Sequence, residues 1–426
     1  MHQEAICKTE YTEISDTSLL PKSPVVSVNM MAYNHGPYLA DAIEGVISQK
    51  TDFPIELVIG EDCSIDNTRE IALDYQRRYP NLIRVIYSDQ NVGMMANGLR
   101  TLLACRGEFI AFCEGDDYWI DSGKLCEQVN VLSKLKNINI AFHSCYHEHD
   151  KTKEKTISHV YFSTDKILTL SEVIAGGGIL MPTASLLIRR SLLVSVLDWF
   201  YTTMPPIGDY FLQVFGSKNG GAYYINKPMS IYRKEVETSW TERTEKSIDL
   251  VIEFEKKFFL ALKKLEDAIH EQEEAFRHHM IYHYSCRLIN IKNENLYKIK
   301  KLMTSILKYL YESKEITDKT IIDERLEWEY YLKFAIDVGK IKDLEDQKCG
   351  VVWQFLRVAK SLLEYETSIL KKININITPS DSNSYERIIE KWRTEVYKIY
   401  LIARWKRLYR LIIGNLFTKK ITHRQL

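Results

Sequence analysis

The stretch Val25-Val26-Ser27-Val28-Asn29-Met30-Met31-Ala32-Tyr33-Asn34-His35-Gly36-Pro37 decides the fold. Val25 to Met31 is a short apolar, β-branched run, the mark of a buried strand. Asn34-His35-Gly36-Pro37 is turn chemistry that stops it. Beyond the turn, Leu39, Ile43, Val46 and Ile47 recur at helical spacing within Tyr38–Ser48. The same unit then repeats. Ile55–Ile59 predicts a second strand ending in Gly60-Glu61-Asp62, and Asp66 caps a helix running through Ile71, Leu73 and Tyr75. A third strand is predicted at Ile83–Tyr87, a helix at Met95–Ala104 and a fourth strand at Phe109–Cys113. Further on, the pattern predicts helices at Gly123–Leu135 and Ile207–Ser217. It predicts strands at Ile138–Tyr146, Ala184–Ile188, Ala222–Ile225 and Met229–Tyr232. Strands alternating with helices through short loops predict an α/β fold, a mostly parallel sheet covered on both faces.

The full chain has 426 residues, long enough for two units. We divide it into a loose leader (1–23), the α/β domain (24–244), a helical region (245–390) and a basic C-terminal segment (391–426). Lys plus Arg and Asp plus Glu both number 57, so whole-chain charge points to no nucleic-acid partner. The eight cysteines show no CxxC spacing, which favours a reduced compartment. No apolar segment reads as a signal peptide or a spanning helix, so the expected location is cytoplasmic.

In an open parallel sheet, ligands bind beyond the carboxyl ends of the strands. Tyr33-Asn34, Glu61-Asp62, Asn91 and Glu114-Gly115-Asp116-Asp117 all fall there. Three carboxylates within four residues repel one another unless a cation neutralises them, and a hard divalent ion with oxygen ligands fits. The plainer alternative is a solvated acidic turn capping the helix near Ser122. Asp62, at a strand tip, can accept a hydrogen bond from a base N–H; helix capping nearby is the competing role for this turn.

Met31-Ala32-Tyr33-Asn34, Glu61-Asp62-Cys63-Ser64-Ile65-Asp66-Asn67-Thr68, Asn91-Val92-Gly93 and Glu114-Gly115-Asp116-Asp117-Tyr118-Trp119, in that order and spacing, resemble the family 2 glycosyltransferases of the GT-A fold. The likeness runs from about Val25 to Trp240. It implies a Rossmann-like GT-A domain ahead of the all-α region. It also implies a nucleotide-diphospho-sugar donor, often a UDP-sugar, together with Mn2+ or Mg2+ and inversion at the anomeric carbon. By the resemblance, Met31, Tyr33 and Asn91 lie at the nucleotide and Asp62 reads the base. Glu114, Asp116 and Asp117 cover the DxD-type element, with Glu114 and Asp116 on the donor and Asp116 and Asp117 at the metal. The chain departs from the family at Glu114, a longer carboxylate, and at Cys63, where Gly is usual.

An acceptor hydroxyl must lose its proton as it attacks, and a positioned carboxylate can take it. Ile207-Gly208-Asp209-Tyr210 is similar to the family's late acidic segment, which makes Asp209 the expected base. Arg233, in Ile231-Tyr232-Arg233, can pair with phosphate or form an ordinary ion pair. The expected activity is hexosyl or N-acetylhexosaminyl transfer to a glycan or lipid-linked acceptor, in surface polysaccharide synthesis. A non-catalytic nucleotide-sugar or carbohydrate binding module with a helical partner-binding region is the alternative.

Two features stand apart. His143, Cys145, His147 and His149 would share one face of a strand, a geometry a zinc site could use; a strand edge entering a polar loop is the plainer reading. Residues 391–426 hold ten Lys/Arg against Glu395 alone among acids. Leu401–Leu416 forms a helical wheel with Trp405 and Tyr409 on the apolar arc and Arg404, Lys406, Arg407 and Arg410 opposite. Such a helix suits an anionic membrane surface, or packs on the protein with a solvated basic face.

Overall fold

The computed structural model describes residues 10–236 and 248–269, with positions 239, 272, 275, 276 and 279. Trp240, most of region 245–390 and all of segment 391–426 lie outside the described residues. The described residues belong to one compact unit that runs to His279. In chain order the elements are β1 (Thr12–Ile14), β2 (Val26–Ala32), α1 (Leu39–Ile47), β3 (Ile55–Glu61), α2 (Thr68–Arg78), β4 (Ile83–Tyr87), α3 (Met94–Ala104), β5 (Phe109–Phe112), β6 (Tyr118–Trp119), α4 (Lys124–Lys134), β7 (Ile140–His149), β8 (Lys155–Ser158), β9 (Lys166–Leu168), α5 (Leu170–Gly176), β10 (Leu187–Arg189), α6 (Leu193–Thr203), α7 (Asp209–Ser217), β11 (Ala222–Lys234) and α8 (Ile248–Ala268).

The strands form one mixed sheet in the order β1-β4-β3-β2-β5-β10-β7-β11-β6, with β8 on β7 and β9 on β11. Its centre, β4-β3-β2-β5, is parallel, as is the β7–β11 pair. β10 is antiparallel to both of its neighbours. On one face Val26, Val28 and Met30 pack with Leu39, Ile43 and Val46 of α1 and with Leu125 and Leu132 of α4. Each such side chain is worth roughly 1.5–3 kcal/mol when fully buried. The other face carries α3. A Cβ at Gly60 would fall 1.9 Å from Thr101 Oγ1, so the missing side chain lets α3 lie close on β3.

Three details differ from the sequence expectation. Thr12–Ile14, placed in the loose leader, pairs antiparallel with β4 and closes the sheet edge; Glu13 holds Arg84 at 2.8 Å. The two closing strands are one, β11, because the register merely shifts between Ile225 and Ser230. A 3-10 turn, Thr183–Ser185, occupies the start of the segment expected as a strand from Ala184, and β10 begins at Leu187. α8, the described part of the helical region, lays Phe258 against Tyr210 and Phe211 of α7, at ring distances of 6.0 and 5.8 Å.

Candidate active site at the carboxyl ends of the strands

Two carbonyls at the tip of β2 organise the rim. Ala32 O accepts the Asp62 N–H at 3.0 Å, and Met31 O accepts the Gly115 N–H at 2.9 Å. The first, second and fourth strand tips of the expected order are thereby tied together. A Cβ at Gly115 would lie 2.8 Å from His35 Nδ1, so only glycine lets the acidic turn sit this close. The loops after β2 and β3 are cross-linked as well: Asn34 N–H donates to Ser64 Oγ, and Ile65 N–H donates to Asn34 Oδ1.

Asp62 is buried. Its carboxylate accepts the N–H groups of Val92 and Gly93 at 2.9 and 3.0 Å and faces Arg100 at 3.7 Å. Asn91 Nδ2 donates to the Asp62 carbonyl at 2.8 Å. Asn91 thus holds Asp62. Met31 is half-buried, and its sulfur lies 2.9 Å from where a Cβ at Gly98 of α3 would stand. Tyr33 is half-buried on the same tip. Cys63 takes φ of 57°, the left-handed region that glycine enters freely and other residues enter at a cost. The turn geometry therefore survives the departure from glycine.

In the acidic turn, Asp117 is buried. One oxygen accepts the Arg233 backbone N–H at 2.9 Å; the other, Oδ2, is buried with no hydrogen-bond partner. Burial, then Asp116, then Glu114 push the Asp117 carboxyl well above the usual carboxylate range. Burial, Asp116 and Asp209 push Glu114 up to about 8, against an opposing hydrogen bond from Thr183. His35 Nε2 stands 3.8 Å from Asp116 Oδ2.

Asp209 opens α7, and burial raises its pKa despite the Tyr210 N–H on Oδ1 at 2.8 Å. The preceding Gly208 lies beside α3, where a Cβ would meet the Met95 methyl at 3.9 Å. The charge of Asp209 reaches both Glu114 and the phenol of Tyr232. Tyr232 is raised by burial and then by Asp117, Glu114, Asp116 and Asp209, so it sits in the field of all four carboxylates. The sequence reading passed over Tyr232. Its one signal in the sequence is its place beside Arg233.

Arg233 makes the ion pairs that were one of its two expected roles. Its guanidinium, 3% exposed, donates to the Asp116 carbonyl at 2.9 Å, pairs with Asp41 and lies 4.4 Å above the Tyr118 ring. With these partners it braces the acidic turn.

Glu114, Asp116 and Asp117 carry carboxylate oxygens, the donor type a hard divalent cation takes; one of these oxygens is buried and unpartnered, and burial first, then neighbouring carboxylates, raises the pKa of Glu114 and of Asp117.

Residues 27–194 match the family described as Glycosyl transferase family 2. An uncharacterized protein of Mycobacterium tuberculosis (strain H37Rv) is 33% identical over 217 residues, 50% of this chain and 60% of that protein. The chain thus spans well under two thirds of the length of this curated relative. TuaG of Bacillus subtilis, named as a teichuronic acid biosynthesis glycosyltransferase, is 33% identical over 26% of this chain and 42% of its own length. Among solved structures, Staphylococcus aureus TarS (residues 1–349) in complex with UDP-GlcNAc superposes with a TM-score of 0.50 at 17% identity. It covers 67% of this chain and 80% of that one, a likeness of fold.

Proposed function

We propose that this chain moves a hexosyl or N-acetylhexosaminyl group from a UDP-sugar to a hydroxyl of a glycan or lipid-linked acceptor, with inversion, in surface polysaccharide synthesis. The observation that carries the reading is the buried, unpartnered Asp117 oxygen in the acidic turn, with the charge of Asp209 reaching Glu114 of the same turn. The UDP-GlcNAc bound by TarS and the teichuronic acid role in the name of TuaG support the choice of donor and acceptor.

Met31, Tyr33 and Asp62 seat the nucleoside, with Asn91 and Arg100 holding Asp62 in place. Glu114 and Asp116 face the ribose and diphosphate. Asp116 and Asp117 hold Mn2+ or Mg2+, which when bound offsets charge on a departing diphosphate. Asp209 takes the acceptor proton; its raised pKa makes it a stronger base than an ordinary carboxylate. The acceptor oxygen then bonds to the anomeric carbon as the bond to the diphosphate oxygen breaks, and that electron pair leaves with the nucleoside diphosphate.

The test is a panel of UDP- and GDP-sugars with and without Mn2+, read by mass spectrometry for nucleoside diphosphate release and a glycosylated acceptor. Donor binding with no release across the panel would point instead to a non-catalytic binding module.

A further inference from the structure

Cys145 and His147 lie two residues apart on β7 and share one face of the sheet. β8 folds back on β7 with Cys145 opposite Ser158, which delivers the next residue, His159, to the same place. Metal-ligating atoms of Cys145, His147 and His159 all lie within 4.8 Å of one another. The set differs from the sequence expectation, since His143 and His149 are engaged elsewhere. His143 Nδ1 contacts Ser144 O, and His149 pairs with Glu235 at 2.9 Å.

We propose that Cys145, His147 and His159 bind one Zn2+ ion, at a site separate from the acidic turn. Thiolate with two imidazoles is the donor set of a borderline-soft ion and not of Mn2+ or Mg2+. The spacing is right. Cys145 Sγ and His159 Nδ1 are 3.3 Å apart, and two such ligands on a tetrahedral zinc stand about 3.5 Å apart.

A second observation concerns the tautomer. His159 Nε2 lies 3.1 Å from the Ile179 carbonyl. A carbonyl only accepts, so Nε2 carries the proton and the Nδ1 lone pair points at the cysteine sulfur. Zinc-bound histidines are oriented in this manner, the far N–H held by a carbonyl. His159 also keeps φ of 58°, a left-handed conformation unusual for its type, which places the ring there.

On binding, the Cys145 thiol loses its proton to solvent and the thiolate takes the ion. Three protein ligands leave a fourth, exchangeable position. The His147 ring packs on Tyr232 at 5.6 Å, so the ion would tie β7 and β8 to the strand that carries Tyr232. This inference does not depend on the proposed sugar transfer.

The test uses the untagged full chain, stripped with chelator, loaded with Zn2+ and desalted, with metal content read by elemental mass spectrometry. Co2+ loading in parallel reads out thiolate ligation directly. The expected result is about one zinc per chain and a thiolate-to-cobalt charge-transfer band. Both should be lost in Cys145→Ala and in His159→Ala, and both kept in His143→Gln and in Asp116→Asn. Wild-type protein without the cobalt band, or unchanged zinc in Cys145→Ala and His159→Ala, overturns the site. The wild-type spectrum keeps the proposal falsifiable even where a variant folds poorly.

Discussion

Buried carboxyl groups sit at opposite ends of the same parallel strands, Glu56 at one end and Asp117, beside the half-buried Glu114, at the other. At the amino end Glu56 accepts hydrogen bonds from Ser27 Oγ and the Arg106 N–H, at 2.6 and 2.8 Å, and pairs with Arg84 and Arg106 at 3.2 and 2.6 Å. These partners outweigh its burial and hold its pKa below the usual range. At the carboxyl end, Glu114 and Asp117 are raised by burial and by each other's neighbours, and one Asp117 oxygen has no partner. A buried charge with its partners in place holds structure together. A buried carboxyl left without them holds its proton, and we read the carboxyl-end group as kept for a ligand.

The contrast is sharpest in activity. Asp209→Asn should lower sugar transfer by about 10²–10⁴-fold with donor affinity little changed, because only the proton acceptor is removed. Transfer assays beside donor-binding titrations decide this, and wild-type turnover would remove Asp209 from the reaction. Glu56→Gln should do the reverse. It removes one of the two carboxylates on Arg84, which keeps Glu13, and the carboxylate on the part-exposed Arg106, and should cost about 1–3 kcal/mol in urea unfolding, with donor affinity of the folded protein unchanged.

The two ends should also respond oppositely to pH. Glu114 titrates near 8 in the fold against 4.5 ordinarily, so between these values the folded chain holds more protons than the unfolded one. Stability of the metal-free protein should therefore fall as pH rises through that window. Glu56 has a lowered pKa, and its contribution is lost instead as pH drops below the usual carboxylate range. Unfolding in chelator across this range should show the first decline, and Glu114→Gln should reduce it, with Asp117 and Asp209, whose pKa values are also raised, supplying the remainder. The smallest effect is expected at Cys63. Replacing it by Gly frees the left-handed position, and a gain of about 0.5–1 kcal/mol in thermal unfolding is expected after the entropy cost of glycine.

Much of this was legible in the sequence because the central strands are buried on both faces. Ile83–Tyr87 coincides with β4, and the other central strands end within a residue or two of the expected positions. Their carboxylates could be placed at one rim, since every parallel strand ends there. Three residues at Thr12–Ile14 carry no alternation to read, so the edge strand was missed. Asn226-Lys227-Pro228 reads as a turn, yet β11 passes through it with a register shift. Contacts made only by folding were also out of reach. Nothing in sequence brings His159 to Cys145, aims Arg233 at the Asp116 carbonyl, or sets Tyr232 among four carboxylates.

The central claim is that uncompensated carboxylates at the strand tips await a cation and the diphosphate it carries. Calorimetric titration of UDP into the full chain, with Mn2+ and then with EDTA, tests it most directly. The account predicts binding at least about tenfold tighter with Mn2+, a gap of ~1.4 kcal/mol, and loss of that gain in Asp116→Asn. Equal affinity in EDTA, or a Mn2+ gain that persists in Asp116→Asn, would contradict it.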